Sequence, residues 1–119
     1  MPIVNIQTNL SLSAHQQEQL LTQTAQATSQ ALNTDLTRID VALQQLAAEH
    51  TIVGGVAQRP FVRYTIQLLT GRSIEAKQTL VKQYYEVAQS IAQQANLDVK
   101  TIIHDLSPSD LALRDSLVG

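Results

Sequence analysis

The chain has 119 residues, a formal net charge of −2, 44% hydrophobic and 15% charged residues, and no cysteine. This length suits one domain, and the absence of cysteine excludes disulfides, thiolate zinc sites and a cysteine nucleophile. Without a basic surplus or an apolar run of roughly 18 residues, we expect neither nucleic-acid binding nor membrane contact. The opening Met1-Pro2-Ile3-Val4-Asn5 lacks the basic and apolar regions of a signal peptide, so the sequence predicts a cytoplasmic protein.

A weak internal repeat divides the predicted single domain, residues 1–119, into halves at about 2–58 and 61–119. Ser13 aligns with Ser73 at an offset of 60 residues, and other apolar and glutamine positions match at the same offset. The pattern of predicted elements repeats as well. This indicates that one structural unit occurs twice in the chain.

The first half begins with an extended segment at residues 2–8 and continues with a helix at about 14–33. Ser13, with Gln16 three residues later, is typical of a capping box at a helix start. Alternating apolar residues then predict a strand over 38–46. The helix is expected to bury a stripe at helical spacing formed by Leu20, Leu21, Thr24, Ala27, Ala31 and Leu32.

The second half begins with a strand at 61–69, in which apolar and polar residues alternate. A helix follows at about 74–95, with Ser73 as its N-cap and Glu75 in the first turn, where the helix dipole favours an anion. Residues 99–106 predict the last strand. The helix is expected to bury Leu80, Val81, Tyr84, Ala88, Ile91, Ala92 and Ala95.

Each half therefore predicts a βαβ unit, and the stretch Val53–Pro60, with its glycines and proline, joins the two. A βαβ crossover is right-handed and makes its two strands parallel. Because about sixty residues bury little surface alone, we expect the halves to share one core. The predicted fold class is α/β (α+β), with one four-stranded sheet and two helices on one face. The other face is half apolar, so we expect another subunit to cover it.

Three segments resemble the tautomerase superfamily, which has the 4-oxalocrotonate tautomerase and macrophage migration inhibitory factor fold, and the resemblance covers essentially the whole chain. The segments are Met1-Pro2-Ile3-Val4, Leu68–Ser73 with its Gly71-Arg72-Ser73 turn, and Thr51–Val56 with its paired glycines. The overall spacing is most similar to the cis-3-chloroacrylic acid dehalogenase-like group, in which one chain holds two βαβ units.

The resemblance implies a homotrimer in which Pro2 is catalytic once Met1 has been removed, and it implies no cofactor. A free N-terminal proline carries a basic amine, and the pKa of α-amino groups is roughly 7.7–8.0 in peptides. A nearby cation or desolvation lowers that pKa, so that the amine can act as a general base near neutral pH. Arg72, directly before the N-cap Ser73, is the candidate that binds a substrate carboxylate.

The sequence departs from the superfamily at several positions. Leu12 and Asp40 stand where the short-chain tautomerases have arginines, and Thr51 stands where they have an active-site phenylalanine. Leu69 replaces the first of the paired arginines of the cis-dehalogenases, and Arg114 lies roughly where those enzymes have a catalytic glutamate. These differences argue against dehalogenation with added water and weigh less against simple proton transfer.

Arg114 is a second candidate for substrate binding, and Arg63 or Arg38 could reach the site of a neighbouring subunit. No metal site is expected, because the histidines are not at metal-ligand spacing. These histidines are His15, His50 and His104.

We therefore predict a tautomerase or isomerase that transfers a proton between the enol and keto forms of a small 2-oxo or 2-hydroxy-enoic acid. Pro2 would be the general base, and Arg72 and Arg114 would bind the substrate carboxylate. Two alternatives remain open. One is a hydratase, dehalogenase or decarboxylase of the same superfamily, and the other is a non-enzymatic trimeric interaction module whose site has decayed.

Overall fold

A strand, a helix, a second strand and a small hairpin make up the first half of the chain. In the computed structural model, which describes residues 1–119, these elements are β1 (Ile3–Thr8), α1 (Ala14–Leu32), β2 (Asp40–Gln45), β3 (Ile52–Val53) and β4 (Val56–Ala57). The capping box predicted for α1 is present, because the side chains of its N-cap and third residues each accept from the other's backbone.

The second half repeats this order. Its elements are β5 (Phe61–Leu69), α2 (Ile74–Ala92), β6 (Asp98–Leu106), β7 (Ala112–Leu113) and β8 (Ser116–Leu117). The predicted strand over 61–69 is confirmed without change, and Ser73 caps α2 by accepting from the backbone N–H of Ala76.

The four long strands form one mixed sheet in the order β2-β1-β5-β6. The pairs β1–β2 and β5–β6 are parallel, as two βαβ units require, and β1 and β5 are antiparallel at the centre. Both helices pack on one face and share a core with the sheet. The predicted α+β architecture is therefore confirmed.

Tyr64 of β5 and Tyr84 of α2 form the centre of this core, with stacked rings whose centroids are 4.3 Å apart. The Thr28 hydroxyl of α1 donates to the Thr24 carbonyl at 2.8 Å and lies 2.5 Å from the Tyr84 hydroxyl. Burial raises the pKa values of both tyrosines. Thr28 is not part of the predicted α1 stripe, yet it is a buried polar link between the two helices.

The two helices end earlier than predicted, at Leu32 and Ala92. Asn33 and Gln93 follow in the left-handed conformation, which stops the helical hydrogen bonding. Ala95 was expected in the buried stripe of α2, but it lies in the exposed loop beyond the helix. Apolar residues at helical spacing continue in the sequence beyond the residue at which the helix ends.

Two short hairpins, β3–β4 and β7–β8, were not predicted. They lie 60 residues apart in the sequence, so they belong to the repeat. They expose large apolar side chains, and a two-residue strand carries too little periodicity to be recognised. The exposed apolar residues of the hairpins and the last residues are Ile52, Val56, Leu113, Leu117 and Val118. Neither helix is long and apolar enough to span a membrane.

Candidate active site

The register of the sheet gathers three distant parts of the chain at one corner. Ile3 pairs with Asp40 of β2 in a parallel register and with Gln67 of β5 in an antiparallel register. The start of β1 therefore lies beside the start of β2 and close to the end of β5. The backbone N–H of Asp40 donates to the carbonyl of Pro2 at 3.1 Å, which holds the first residues against the sheet.

A pocket of about 390 Å³ opens at this corner. Pro2 is buried, and Met1, which precedes it, lines the pocket. The other lining residues come from the segment that connects α1 to β2 and from the turn between β5 and α2. They are Asn33, Thr34, Asp35, Thr37, Arg38 and Arg72.

Arg72 is anchored to the C-terminal end of α1. Its guanidinium donates to the Leu32 carbonyl, which lies in the last turn, and to the Thr34 Oγ1 at 3.0 Å. Helix C-terminal carbonyls attract a cation because the helix dipole is negative there. Gly71, with φ of 118°, turns the chain before Arg72. Since guanidinium has five N–H donors, three remain for a ligand.

The electrostatics of the pocket favour an uncharged amine. Burial lowers the pKa of the Met1 amino group, and the cations Arg72 and Arg38 lower it further. The ring nitrogen of Pro2 is one residue along the same strand start. An amine in these surroundings loses its proton more readily than an ordinary chain terminus does, and can then accept one from a substrate.

Arg38 was considered only as a residue that could reach a neighbouring subunit, yet it lines the pocket of its own chain. A signal for this was available in the predicted βαβ unit. Parallel pairing of Ile3 with Asp40 continues backwards to residues 1 and 38, which places Arg38 beside the N-terminus. Arg38 forms none of the ion pairs of the structure, so its charge is free for a ligand.

Asp35 is the one acidic residue among those that line the pocket. It caps a short 3₁₀ helix, Leu36–Arg38, and its carboxylate accepts from the backbone N–H of Thr37 at 2.9 Å and from the Thr37 hydroxyl at 2.8 Å. These hydrogen bonds, helped by Arg38, lower the pKa of Asp35 and keep it ionised. No pattern in the sequence predicts a role for this residue.

The other arginine candidates lie elsewhere in the chain. Arg114 occupies the exposed turn of the β7–β8 hairpin with φ of 60°, and it does not line the Pro2 pocket of its own chain. Arg63 lies on the open face of the sheet, 4.9 Å above the Phe61 ring, and donates to the Gln7 Oε1 at 3.3 Å. Arg72 thus lines the pocket together with Met1, which precedes Pro2, whereas Arg114 does not line it.

A second surface cavity, of about 550 Å³, is a groove between α1 and α2 that offers little chemistry. Glutamines dominate its lining, and Glu86 is its one charged residue. The histidines at positions 15, 50 and 104 are exposed on separate elements, and the chain contains no cluster of three or more histidine or acidic side chains that could hold a metal.

The sequence matches no protein-family model and no curated protein. Solved structures do match over nearly the whole chain. The W0 fused 4-OT, a wild-type symmetric trimer, has a TM-score of 0.90 at 23% identity, covering 98% of this chain and 96% of its own. Pt0534 inactivated by 2-oxo-3-pentynoate has a TM-score of 0.90 at 20% identity, covering 97% and 94%. The macrophage migration inhibitory factor of Toxoplasma gondii has a TM-score of 0.83 at 18% identity, covering 97% and 98%.

These similarities establish that the chain has the fold of 4-OT and macrophage migration inhibitory factor. They do not support the closer resemblance to the cis-3-chloroacrylic acid dehalogenase-like group. At identities of 23% or less the shared fold does not identify the residues that carry chemistry. A function for this chain has to follow from the residues of the corner pocket.

Proposed function

We propose that the protein is a tautomerase that transfers a proton between the enol and keto forms of a small 2-oxo or 2-hydroxy-enoic acid. The observation that carries this proposal is the buried strand start at Pro2, beside an amine whose pKa is lowered by burial, Arg72 and Arg38. Once Met1 is removed, the Pro2 nitrogen becomes a secondary amine in this same environment. It takes the proton from the enol oxygen and delivers it to the carbon at the other end of the enol double bond.

Arg72 would bind the substrate carboxylate and stabilise the negative charge that develops on the adjacent oxygen. Its two hydrogen bonds to the end of α1 orient the guanidinium before a ligand arrives. A preoriented donor needs little reorganisation during the reaction, which is why such groups lower barriers effectively. No cofactor is needed for this step, because proton transfer leaves the oxidation state unchanged.

A homotrimer is part of the proposal. The apolar residues exposed on both hairpins, together with the unpaired edges of β2 and β6, are suited to contact with further copies of the chain. The fused 4-OT that shares the fold is a symmetric trimer. In such an assembly Arg114, on the tip of its hairpin, could reach a neighbouring pocket and act as a second carboxylate contact.

One observation favours a different function, a trimeric interaction module without catalysis. Arg72 donates to the Leu32 carbonyl and to Thr34, and these bonds explain its presence as a helix-capping residue without any ligand. In that case the residue would be structural, and Pro2 would only begin a strand.

The test is ketonisation of phenylenolpyruvate by protein whose mass confirms the loss of Met1, with P2A measured beside it. The tautomerase proposal expects catalysis by the processed protein and its collapse in P2A, with unchanged circular dichroism. Processed protein that folds, forms trimers and fails to accelerate ketonisation would support the interaction module.

A further inference from the structure

Three charged side chains line the corner pocket, namely Arg38, Arg72 and Asp35. A catalytic base must be uncharged before it accepts a proton, so the amine adds no charge to the resting site. The formal charge of the pocket is therefore +1, from two arginines and one carboxylate. One bound carboxylate would bring this sum to zero.

Within one chain, a second carboxylate would find no free cation in the pocket. Transfer of a charged group from water without a partner is unfavourable, and the first carboxylate would already be shared by the two arginines. Asp35 would also repel the second carboxylate directly. Its position is defined by two hydrogen bonds from Thr37, at 2.9 and 2.8 Å, so it cannot easily turn away.

We propose that the pocket selects ligands with a single carboxylate over dicarboxylates, and that Asp35 is the residue that sets this selectivity. This inference rests on the proposed function in two respects, that the pocket is the ligand site and that its amine is uncharged. Arg72 is already oriented by the end of α1, whereas Arg38 is exposed and forms no ion pair, so Arg38 can close on the carboxylate from the other side.

The test compares crotonate with fumarate, which differ by a methyl group in place of a second carboxylate. Their dissociation constants are measured by NMR titration of the Met1-processed protein, and their inhibition of phenylenolpyruvate ketonisation is measured in parallel. We expect wild-type protein to bind crotonate more tightly than fumarate. In D35N the affinity for fumarate relative to that for crotonate should rise about three- to tenfold, because one negative charge is removed from a solvated pocket.

D35N is a conservative test, because asparagine caps a helix as well as aspartate does and can still accept from Thr37. D110N removes another exposed carboxylate, outside the pocket, and should leave the ratio unchanged. R38Q should weaken both acids, since it removes a cation that either one would use.

The outcomes separate this inference from the proposed function. Tighter binding of fumarate by wild type, an unchanged ratio in D35N, or no binding of either acid would each overturn the selectivity proposal. If the ratio shifts as expected in the NMR titration while phenylenolpyruvate is not turned over, the pocket selects monocarboxylates and the tautomerase proposal fails alone.

Discussion

The two halves of the molecule build the same corner twice, and only one of the corners has the groups that the proposed catalysis requires. In the first corner the Asp40 N–H donates to the Pro2 carbonyl, and in the second the Asp98 N–H donates to the Pro60 carbonyl at 2.9 Å. The backbone is thus equivalent at Pro2 and Pro60. The chemistry differs, because Pro60 lies within the chain as an amide and can never become a basic amine.

The cations differ as well. Arg72 corresponds to Leu12 at the offset of 60, and Arg38 corresponds to Asn96 in the register that aligns Asp40 with Asp98. The second corner retains one arginine, Arg59, which donates to the Asn96 carbonyl at 3.3 Å. The comparison teaches that the fold supplies a corner near a helix C-terminus, whereas a few side chains decide whether that corner can bind an anion beside a base.

The largest expected effect comes from substitution of the two equivalent prolines. P2A should lower kcat/KM for ketonisation by about 10²–10⁴-fold, the usual contribution of a general base, since alanine offers a primary amine that is placed differently. P60A should leave kcat/KM within about twofold, because the two sites are separate and act independently. Equal losses in both variants would show that the effect is structural.

The arginines of the two corners, Arg72 and Arg59, form the next comparison. R72A should lower kcat/KM on the order of 10²-fold, as loss of a preoriented charged donor does, and should lower the free energy of unfolding by about 1 kcal/mol. R59A should affect stability alone. Rescue by R72K of stability but not of activity would indicate that the planar guanidinium is needed. An inactive R59A would contradict the assignment of chemistry to one corner.

A smaller effect, on stability, is expected in the core, where the two helices differ. Thr24 of α1 and Tyr84 of α2 occupy equivalent positions at the offset of 60. T28V removes the partner of the Tyr84 hydroxyl and should lower the free energy of unfolding by about 1–3 kcal/mol. In combination with Y84F the cost should be less than the sum of the two single variants. Urea unfolding of all three variants and wild type measures the coupling, and strict additivity would exclude it.

The smallest effect concerns pH. The active amine must be deprotonated, so kcat/KM should rise with pH through its pKa and then level off. Burial and the two arginines lower the pKa of the Met1 amino group, and the same surroundings should move this limb to lower pH for Pro2. R38Q removes one of those cations and should move the limb to higher pH. K82Q removes a charge from the exposed side of α2 and should leave the profile in place. A profile that is the same in wild type and R38Q would place Arg38 outside the field of the base.

Much of the fold was predictable from local signals. The alternation along 61–69, the serine caps of both helices and the offset of 60 together predicted two βαβ units and a single sheet, and these were confirmed. The hairpins were missed because their strands have two residues each. The predicted helix ends lie beyond the observed ones, because the spacing of apolar residues does not reveal the left-handed conformation of Asn33 and Gln93.

The candidate site was predictable in part. Pro2 and Arg72 followed from a resemblance carried by short motifs, whereas Arg38 and Asp35 needed the register of β1 against β2, which only the folded sheet defines. Arg114 was chosen by its place in the sequence, and its role would require a neighbouring copy.

By itself the sequence determined the layers of the protein, because hydrophobic period, caps and turns are local properties of the chain. Only the tertiary structure decided which charges meet. Residues 1, 38 and 72 lie in three different segments, and their proximity depends on strand pairing and on the anchoring of Arg72 at the end of α1. Charge and desolvation act through space, so the pKa of an amine at this corner is a property of the fold.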